Sequence, residues 1–473
     1  MSSARALPTP FRRGYVASSV KPALRDLAEW RRKQFATWWF ALHPETFWAS
    51  ARHGAVQVAI VGEPVDIDRE TTNRKKIAQH VAASLAISAD RAIRHVAYLG
   101  GRASYFLLRD GELIVVPDYA STHPVFWHQT GAKTTISNYA HLAGEVSGAA
   151  LNEPYIDLMR RARELGANRT IYWPGVETPF VGVSPVLVHH LLRVRQGRAA
   201  RHERFYPFPD TDVIRDVDTA YAAFREAFLC HTRLLTSMSK EIGVSLTGGL
   251  DSRTTLASAL PHTKGSRVRT WTYLNRSPDR AILDDAYAAR ELARERGLRH
   301  DIVLVGGRSQ GLAPHAFDRA YKRSFRYTSQ LPAVPKAYVS DLPASIVELQ
   351  SMVAECGTGF YKDRSEPFSL DRVVRLYQNS PFGEVHLVRE AFERYVEYSG
   401  LTPDDVAPLD WHDVLYQESR IGRWGSLRIQ EVELAHRIHL PFNARGIVEA
   451  LSGPELPFRV KKQALERLVR DLG

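Results

Sequence analysis

The sequence predicts an α/β protein that begins with a β-rich sandwich and ends with a doubly wound parallel sheet. Short apolar runs at 105–108 and 112–116 flank the turn Asp110-Gly111, which indicates antiparallel strands in the first part. After residue 240 the strand-like runs alternate with helical patterns, the order typical of a parallel α/β unit. A glycine turn at 247–249 joins the first of these later strands to a helix.

Composition narrows the class of protein. The chain has 473 residues, 44% of them hydrophobic, which is enough for two or more domains. No apolar run approaches the roughly 18 residues of a membrane span, and no apolar segment follows the N-terminal arginines. The two cysteines, Cys230 and Cys356, lie far apart, which favours a reducing compartment and excludes a cysteine-based zinc ribbon. We therefore expect a cytoplasmic protein with no membrane partner.

The charge balance is basic. The formal net charge is +11, which is compatible with binding to nucleic acid, to an acidic carrier or to an anionic substrate. The arginines are scattered along the chain, and this favours a solvated basic surface. Nucleic acid is therefore not expected as a partner, and the sequence leaves a homodimer open.

The first part of the chain contains strand-like and helix-like patterns in turn. A dense aromatic run at 38–40 is typical of buried structure, and the apolar run at 56–60 predicts a strand. Apolar residues at i, i+4 and i+8 predict a helix over 74–87.

A domain boundary is predicted after these elements. Residues 196–215 are rich in arginine, contain two prolines and are predicted as a linker. It would join an N-terminal domain at 1–195 to a C-terminal domain at 216–473.

The segment 242–260 is the strongest pattern in the chain. An apolar run at 242–246 predicts a buried strand, the turn Thr247-Gly248-Gly249 follows it, and a helical pattern then runs to Pro261. Glycines allow an anion to approach the backbone closely, and the free N–H groups of a helix N-terminus point at it. The segment matches neither of the two common glycine-rich phosphate motifs. It nevertheless predicts a phosphate-binding loop.

The order hydroxyl, Gly, Gly, Leu, Asp, Ser resembles the pyrophosphate loop S-G-G-x-D-S of the ATP-pyrophosphatase superfamily. Thr247 replaces the first serine and keeps its hydroxyl group. The resemblance implies that ATP is cleaved to an adenylate and pyrophosphate, with the loop holding the pyrophosphate. It also implies that Asp251 supplies a hard oxygen ligand to Mg²⁺.

The next elements complete a doubly wound unit. Strands are predicted at 268–274 and 301–305, with a helix at 280–296 between them. Because ligands bind at the carboxyl ends of such strands, we expect Tyr273 near the adenine or ribose. Asp284 and Asp285 are predicted on the outer, charged face of the helix.

A second glycine-rich segment follows a predicted strand at 347–354. The residues Glu355, Gly357 and Gly359 resemble the G-x-G-x-D-E motif of asparagine synthetases, although the D-E pair is missing. The resemblance makes Glu355 a candidate for orienting or deprotonating an attacking amine, and a glutamate in a strand-end salt bridge is the alternative. The predicted nucleotide-binding residues are Leu246, Thr247, Gly248, Gly249, Asp251, Ser252, Tyr273 and Gly357.

The end of the chain carries two weaker resemblances to the same family. A long helical pattern at 411–438 leads into 437–445, which resembles the R-x-P-F-L-D turn. The segment 459–467 resembles the K-x-x-L-R helix of the family, which precedes an active-site lysine. Lys461 or Lys462 would take the place of that lysine, and we take Lys462 as the candidate catalytic residue.

The first half weakly resembles the amidotransferase-type domain of asparagine synthetase-like proteins, at 107–137 and 178–187. The glutaminase of that family needs a cysteine at position 2, where this chain has Ser2. A freed Ser2 hydroxyl is a conceivable nucleophile, but a plain tail is the favoured interpretation. We therefore expect no glutamine hydrolysis.

Together these resemblances imply an asparagine synthetase-like enzyme that uses ATP and Mg²⁺ to join a carboxylate to an amine. The amine would belong to a small-molecule or peptide substrate, as in β-lactam synthetases and lasso-peptide macrolactam cyclases. Two alternatives stay open: an RNA-modifying adenylating enzyme, favoured by the +11 charge, and a catalytically silent scaffold, favoured by the missing D-E pair.

Overall fold

The computed structural model of the protein describes residues 7–22, 27–165, 172–263, 267–306, 312–327, 332–377 and 386–473. The described residues form two six-stranded sheets in the first part of the chain and one five-stranded sheet in the second. Strand pairs are antiparallel in the first two sheets and parallel in the third. The predicted fold class is therefore confirmed.

The first part is a two-sheet sandwich covered by helices. Its strands are β1 (Tyr15–Ser18), β2 (Arg31–Phe35), β3 (Trp38–Leu42), β4 (Trp48–His53), β5 (Val56–Val65), β6 (Gly100–Arg109), β7 (Glu112–Val116), β8 (Phe126–Thr130), β9 (Lys133–Ser137), β10 (Ser184–Pro185), β11 (His190–Arg195) and β12 (Arg201–Arg204). Its helices are α1 (Arg74–Ile87), α2 (Ala89–Ala97), α3 (Ala140–Ser147) and α4 (Glu153–Leu165). The strand orders are β10-β8-β9-β1-β3-β2 and β12-β11-β7-β6-β5-β4.

The two sheets bury a shared apolar face. Phe40 of β3 and Phe106 of β6 meet edge to face, with ring centroids 4.9 Å apart. The outer face of the second sheet is covered by α1, whose bounds are those predicted from the sequence. Its apolar stripe, Ile77, Val81 and Leu85, is completely buried. The sandwich thus follows from the alternation of apolar residues in the strands and their four-residue spacing in the helix.

The predicted linker contains a strand. β12 pairs antiparallel with β11, with His190 opposite Arg204, so the second sheet extends beyond residue 195. The segment 196–215 thus contains a strand at Arg201–Arg204, and the domain boundary within it stays a prediction. β12 is the edge strand of its sheet, and charged side chains are common on edge strands, so its arginines concealed it in the sequence.

The second part is an α/β unit with one parallel sheet. Its strands are β13 (Ile242–Ser245), β14 (Val268–Asn275), β15 (Arg299–Val305), β16 (Val347–Leu349) and β17 (Arg437–His439). Its helices are α5 (Val217–Ser237), α6 (Leu250–Ala259), α7 (Arg280–Glu295), α8 (Leu312–Ser324), α9 (Ala333–Asp341), α10 (Leu370–Tyr377), α11 (His386–Ser399), α12 (Trp411–Leu415), α13 (Ser426–Glu433), α14 (Arg445–Ser452), α15 (Leu456–Val460) and α16 (Gln463–Leu472). A π-helical stretch, Tyr416–Gly425, connects α12 to α13.

The strand order of the parallel sheet is β15-β14-β13-β16-β17. The chain runs outward from β13 to β15 and then returns to add β16 and β17 on the other side. The direction of winding therefore changes between β13 and β16. In open α/β sheets ligands bind at this switch point, outside the carboxyl ends of the strands. The loops after β13 and β16 lie there.

Two predictions for this part were wrong. The strand predicted at 347–354 ends at Leu349, and a 3-10 helix over Met352–Cys356 follows it. The long helical pattern predicted at 411–438 is present as α12, the π-helical stretch and α13, but its end was misplaced, because the helix stops at Glu433, before β17. β17 has only three residues, which is too short for a strand pattern to be recognised in the sequence. It forms because it pairs with the free edge of β16.

The two parts are joined by buried charged groups. Arg13 Nη1 donates to the Glu433 carbonyl at 2.8 Å, and Arg12 Nη1 donates to the Leu434 carbonyl at 2.9 Å. Both arginines pair with the Glu45 carboxylate. They therefore bind the free carbonyls at the end of α13, where a helix attracts positive charge.

Gly243 in β13 is needed for the packing of the sheet. A Cβ atom there would lie 2.2 Å from the ring of Trp271, which is completely buried. The ring is confined by Tyr338 and His436, with centroids 5.7 and 5.9 Å away. Gly243 therefore leaves the space that the indole ring occupies.

We expect Gly243→Ala to lower the free energy of unfolding by about 1–3 kcal/mol, because the added methyl group overpacks the core. Gly446→Ala is the matched control, since a Cβ atom there meets nothing within 4 Å. That helical control should be neutral or slightly stabilising. Urea unfolding of both variants measures the difference, and equal stabilities would contradict the prediction.

Candidate active site

The loop at 246–249 is anchored at the carboxyl end of β13. Leu246 is completely buried, and its N–H donates to the Trp271 carbonyl at 2.8 Å. Its carbonyl accepts from the Thr272 hydroxyl at 2.6 Å. Helix α6 then begins at Leu250, with Gly249 at its N-cap position. The strand, turn and helix predicted from the sequence are therefore present, and the neighbouring strand β14 fixes the start of the turn.

Two hydroxyl groups fold the loop onto itself. The Thr247 N–H donates to Ser252 Oγ at 3.0 Å, and the two hydroxyl oxygens lie 3.1 Å apart. The Gly249 N–H donates to Thr247 Oγ1 at 3.1 Å. The Thr247 hydroxyl makes these contacts, and a serine hydroxyl at this position could make them as well. The loop is preorganised by its own side chains.

A carboxylate already binds one N–H group of the loop. The Gly248 N–H donates to Asp285 Oδ1 at 2.6 Å, and a Cβ atom on Gly248 would lie 2.7 Å from that oxygen. Asp285 is half-buried on α7, so its predicted place on the outer face was wrong. Asp284 is exposed, as predicted. An N–H group that holds a carboxylate oxygen has the geometry to hold a phosphate oxygen.

The structure brings Asp251 and Lys462 together. Lys462 Nζ lies 2.6 Å from Asp251 Oδ2, although the two residues are 211 positions apart. The backbone of Lys462 has φ of 53°, in the left-handed region, between α15 and α16. For a residue other than glycine such a conformation costs about 1–3 kcal/mol, and seven other described residues share it, among them Arg13 and Asp110. Lys461 is exposed, so of the two candidate lysines only Lys462 contacts the loop.

The second carboxylate oxygen of Asp251 fits a metal ligand. Asp251 Oδ1 is buried and has no hydrogen-bond partner in the described part of the chain. Among the residues that the structure describes, no cluster of three or more His, Cys, Asp or Glu side chains could hold a metal ion without further ligands. Mg²⁺ is commonly held by one or two carboxylates together with substrate phosphates and water. Asp251 therefore suits an ion shared with a nucleotide.

Tyr273 lies near the carboxyl end of β14, on the same edge of the sheet as the loop. Its side chain is 46% exposed, and its ring meets the Tyr338 ring with centroids 6.4 Å apart. An exposed aromatic ring at this edge is available to a nucleotide base. Its predicted contact with adenine or ribose stays a prediction.

The loop after β16 contacts α6 and the π-helical stretch. Ser351 Oγ lies 2.8 Å from Thr255 Oγ1. The half-buried Glu355 carboxylate accepts a hydrogen bond from the Tyr416 hydroxyl. Burial raises the pKa of Tyr416 well above its usual value, and the Glu355 charge raises it further. Tyr416 therefore keeps its proton and orients the carboxylate, and no ion pair to Glu355 is formed by the described residues.

Gly357 serves packing in this structure. A Cβ atom there would lie 2.4 Å from Leu451 Cβ, and its carbonyl accepts from Arg459 Nε at 3.0 Å. Its role in nucleotide binding stays a prediction. The turn that follows β17 packs against the sandwich: Asn443 Nδ2 donates to the Gly101 carbonyl at 2.7 Å and to Asp118 Oδ1 at 2.9 Å.

Sequence reasoning missed Asp285 and Tyr416. Asp285 stands four residues before Ala289, which is completely buried, so the helical period already placed it on the inner stripe of α7. No comparable pattern identified Tyr416, because its partner Glu355 is 61 positions away.

No described helix has the length and apolar character that crossing a membrane requires. No protein-family model and no curated protein matches the chain.

Among solved structures, the chain is similar to glutamine phosphoribosylpyrophosphate amidotransferase from B. subtilis complexed with ADP and GMP, at 11% identity and a TM-score of 0.24. The match covers 80% of this chain and 73% of that one. It is similar to NH3-dependent NAD synthetase from Campylobacter jejuni, at 14% identity and a TM-score of 0.21, over 43% of this chain and 96% of that one. It is also similar to glutamine-dependent NAD+ synthetase from Acinetobacter baumannii in complex with ADP, at 11% identity and a TM-score of 0.20, over 79% and 87% of the two chains.

Proposed function

We propose that the chain is an ATP-dependent amide synthetase, which adenylates a carboxylate, releases pyrophosphate and couples the acyl group to an amine. One observation carries the proposal: a hydroxyl- and glycine-containing loop at the switch point of the sheet is met by a lysine. Lys462 contacts Asp251 at 2.6 Å there. A phosphate loop, a cation and a free carboxylate oxygen that can hold Mg²⁺ are the groups that bind the phosphates of a nucleoside triphosphate.

In the first step a carboxylate oxygen of the substrate attacks the α-phosphorus of ATP, and the bond to the bridging oxygen of the β-phosphate breaks. The Gly248 N–H, released by Asp285, and the hydroxyls of Thr247 and Ser252 bind the leaving pyrophosphate. Lys462 moves from the Asp251 carboxylate to phosphate oxygens within reach. When bound to Asp251, Mg²⁺ supplies additional positive charge to the phosphates.

In the second step the substrate amine attacks the acyl carbon, and AMP leaves. The Glu355 carboxylate, held by the Tyr416 hydroxyl, orients the amine and accepts its proton. No glutamine is consumed, and Ser2, where the related glutaminase has cysteine, lies outside the described residues. The nitrogen would come from the substrate amine itself.

Turnover with a suitable carboxylate is expected to give AMP and pyrophosphate in equal amounts, because the loop is suited to pyrophosphate. Incubation of the protein with ATP, Mg²⁺ and pools of candidate carboxylates and amines, followed by nucleotide chromatography, tests this. Formation of ADP and phosphate in step with product would contradict the proposed chemistry.

A catalytically silent scaffold is the second candidate, and one observation favours it. The Gly248 N–H is already engaged by Asp285, and Asp251 and Lys462 already pair with each other. Calorimetric titration with ATP and Mg²⁺ separates the two candidates. Saturable binding at 1:1 supports the enzyme, and no binding by the folded protein supports the scaffold.

A further inference from the structure

A cleft between the two parts of the chain lies apart from the phosphate loop. It is formed where α3 and residues 172–179 of the first part meet α8 and α13 of the second. Its walls include the aromatic side chains Phe126, Tyr139, Tyr172 and Phe325. The volume that a water-sized sphere can fill is about 40 Å³. One water molecule needs roughly 10–15 Å³ by this measure, so the cleft has space for about three water molecules or for part of a small ligand.

Arg423 brings to this cleft a positive charge that lies over the Phe126 ring, 5.9 Å from its centroid, and has no carboxylate partner among the described residues. Its Nη2 donates to the Glu177 carbonyl, and its Nε has no hydrogen-bond partner in the part of the chain that the structure describes. No carboxylate of the described residues forms an ion pair with it, although the residue is only 9% exposed. Burial lowers the pKa of Arg423 to about 10, against a partial offset from Glu177. A buried cation without an ionic partner destabilises the folded protein unless an anion binds to it.

A second donor at the cleft is also without an acceptor. Trp173 is buried, and its Nε1–H has no hydrogen-bond partner among the described residues. Buried N–H groups in proteins almost always have one. A hydrogen-bond acceptor placed between the aromatic walls would therefore satisfy the donors of both Arg423 and Trp173.

The acidic side chain of the cleft does not meet this need. Glu177 Oε1 accepts from Arg394 Nε at 2.8 Å, and Oε2 accepts from Asn152 Nδ2 at 3.0 Å. His141, which also lines the cleft, is paired with Glu145 at 3.1 Å. The Glu177 carboxylate is thus occupied by other groups, and His141 Nδ1 is a further buried polar atom of the cleft without a partner among the described residues.

We propose that this cleft binds a small carboxylate with a flat apolar body, whose carboxylate pairs with Arg423 and Trp173 while aromatic side chains enclose the body. Guanidinium groups bind carboxylates through two parallel N–H donors, and aromatic walls favour flat apolar groups. This site is separate from the phosphate loop, and it does not depend on the proposed adenylation.

Benzoate and its neutral analogue benzamide test the proposal by calorimetric titration of the wild-type protein. Benzoate is expected to bind, and benzamide at least about tenfold more weakly, because it offers no charge to Arg423. Arg423→Met should weaken benzoate binding by at least about tenfold and should keep or raise the melting temperature, because it removes an unpaired buried cation. Arg423→Lys should retain benzoate binding in part.

Two controls separate this site from others. Arg294→Met removes one positive charge from an exposed arginine of α7 that pairs with Glu291 and does not line the cleft, and it should bind benzoate like the wild type. Asp251→Asn should also leave benzoate binding unchanged, even if ATP binding is lost or was never present. Equal binding of benzoate and benzamide would overturn the proposal. So would wild-type affinity in Arg423→Met, a marked fall in its melting temperature, or no benzoate binding by the folded wild type.

Discussion

Asp251→Asn is expected to lower adenylate formation at least about a hundredfold, because it removes a charge that the developing phosphate charges need. The substitution keeps the shape of the side chain and changes only its charge. Asp251 lies in the first turn of α6, and that helix has no side-chain cap bond, so a helix cap is not at stake. The rate of ATP–pyrophosphate exchange measures the effect once an acid substrate is in hand.

The stability of Asp251→Asn should stay close to that of the wild type. The ion pair with Lys462 is partly exposed, with 29% and 22% of the two side chains accessible, and such pairs contribute no more than about 1 kcal/mol. Asp284→Asn is the matched control, because Asp284 is an exposed acid of α7 next to Asp285, which contacts the loop. Unchanged exchange in Asp251→Asn would remove Asp251 from the site, and an equal loss in Asp284→Asn would point to an unspecific effect of charge.

The second large effect is expected at the interface between the two parts of the chain. Arg102 of β6 and Glu433 of α13 form a buried ion pair at 2.6 Å, with 6% and 7% of the side chains accessible. Burial by itself would lower the pKa of Arg102, and the carboxylates of Glu433, Asp118 and Glu63 together more than offset it, so the pKa is raised. Arg102→Met would leave the Glu433 charge buried without its partner. We expect a loss of about 3–5 kcal/mol in the free energy of unfolding.

The double variant Arg102→Met with Glu433→Met tests the origin of that loss. Replacing both partners by apolar side chains removes both buried charges, and most of the stability should return. Chemical denaturation of the two single variants and the double variant gives the coupling directly. Additive losses would mean that the two residues act independently.

The sequence predicted those parts of the fold that local patterns determine. Helix α1 was predicted with its observed bounds, because Ile77, Val81 and Leu85 repeat along one face. The loop at 247–249 was predicted because its glycines and hydroxyls serve local geometry. β17 was missed, because its pairing with β16 depends on residues about 90 positions away in the chain.

The same limit applies to the candidate site. Lys462 was singled out by resemblance alone, and nothing near it in the sequence indicates Asp251 as its neighbour. Asp285 was misjudged because its helix also carries the exposed Asp284, and a pair of adjacent acids suggests a solvated face. The contact that places Asp285 is made with the backbone N–H of Gly248, 37 positions earlier in the chain, and no local pattern links these two residues. Groups brought together by topology need the structure.

The arginines that bind the end of α13 also constrain the order in which parts of the chain can fold during synthesis. Arg12 and its acceptor carbonyl on Leu434 are 422 positions apart, so a nascent chain exposes this arginine pair long before its acceptors are synthesised. The sandwich strands can assemble early, while the sites on α13 that complete them emerge late from the ribosome. Contacts of such long sequence separation slow folding. The contact between Arg12 and the Leu434 carbonyl can therefore form only after residue 434 has been synthesised.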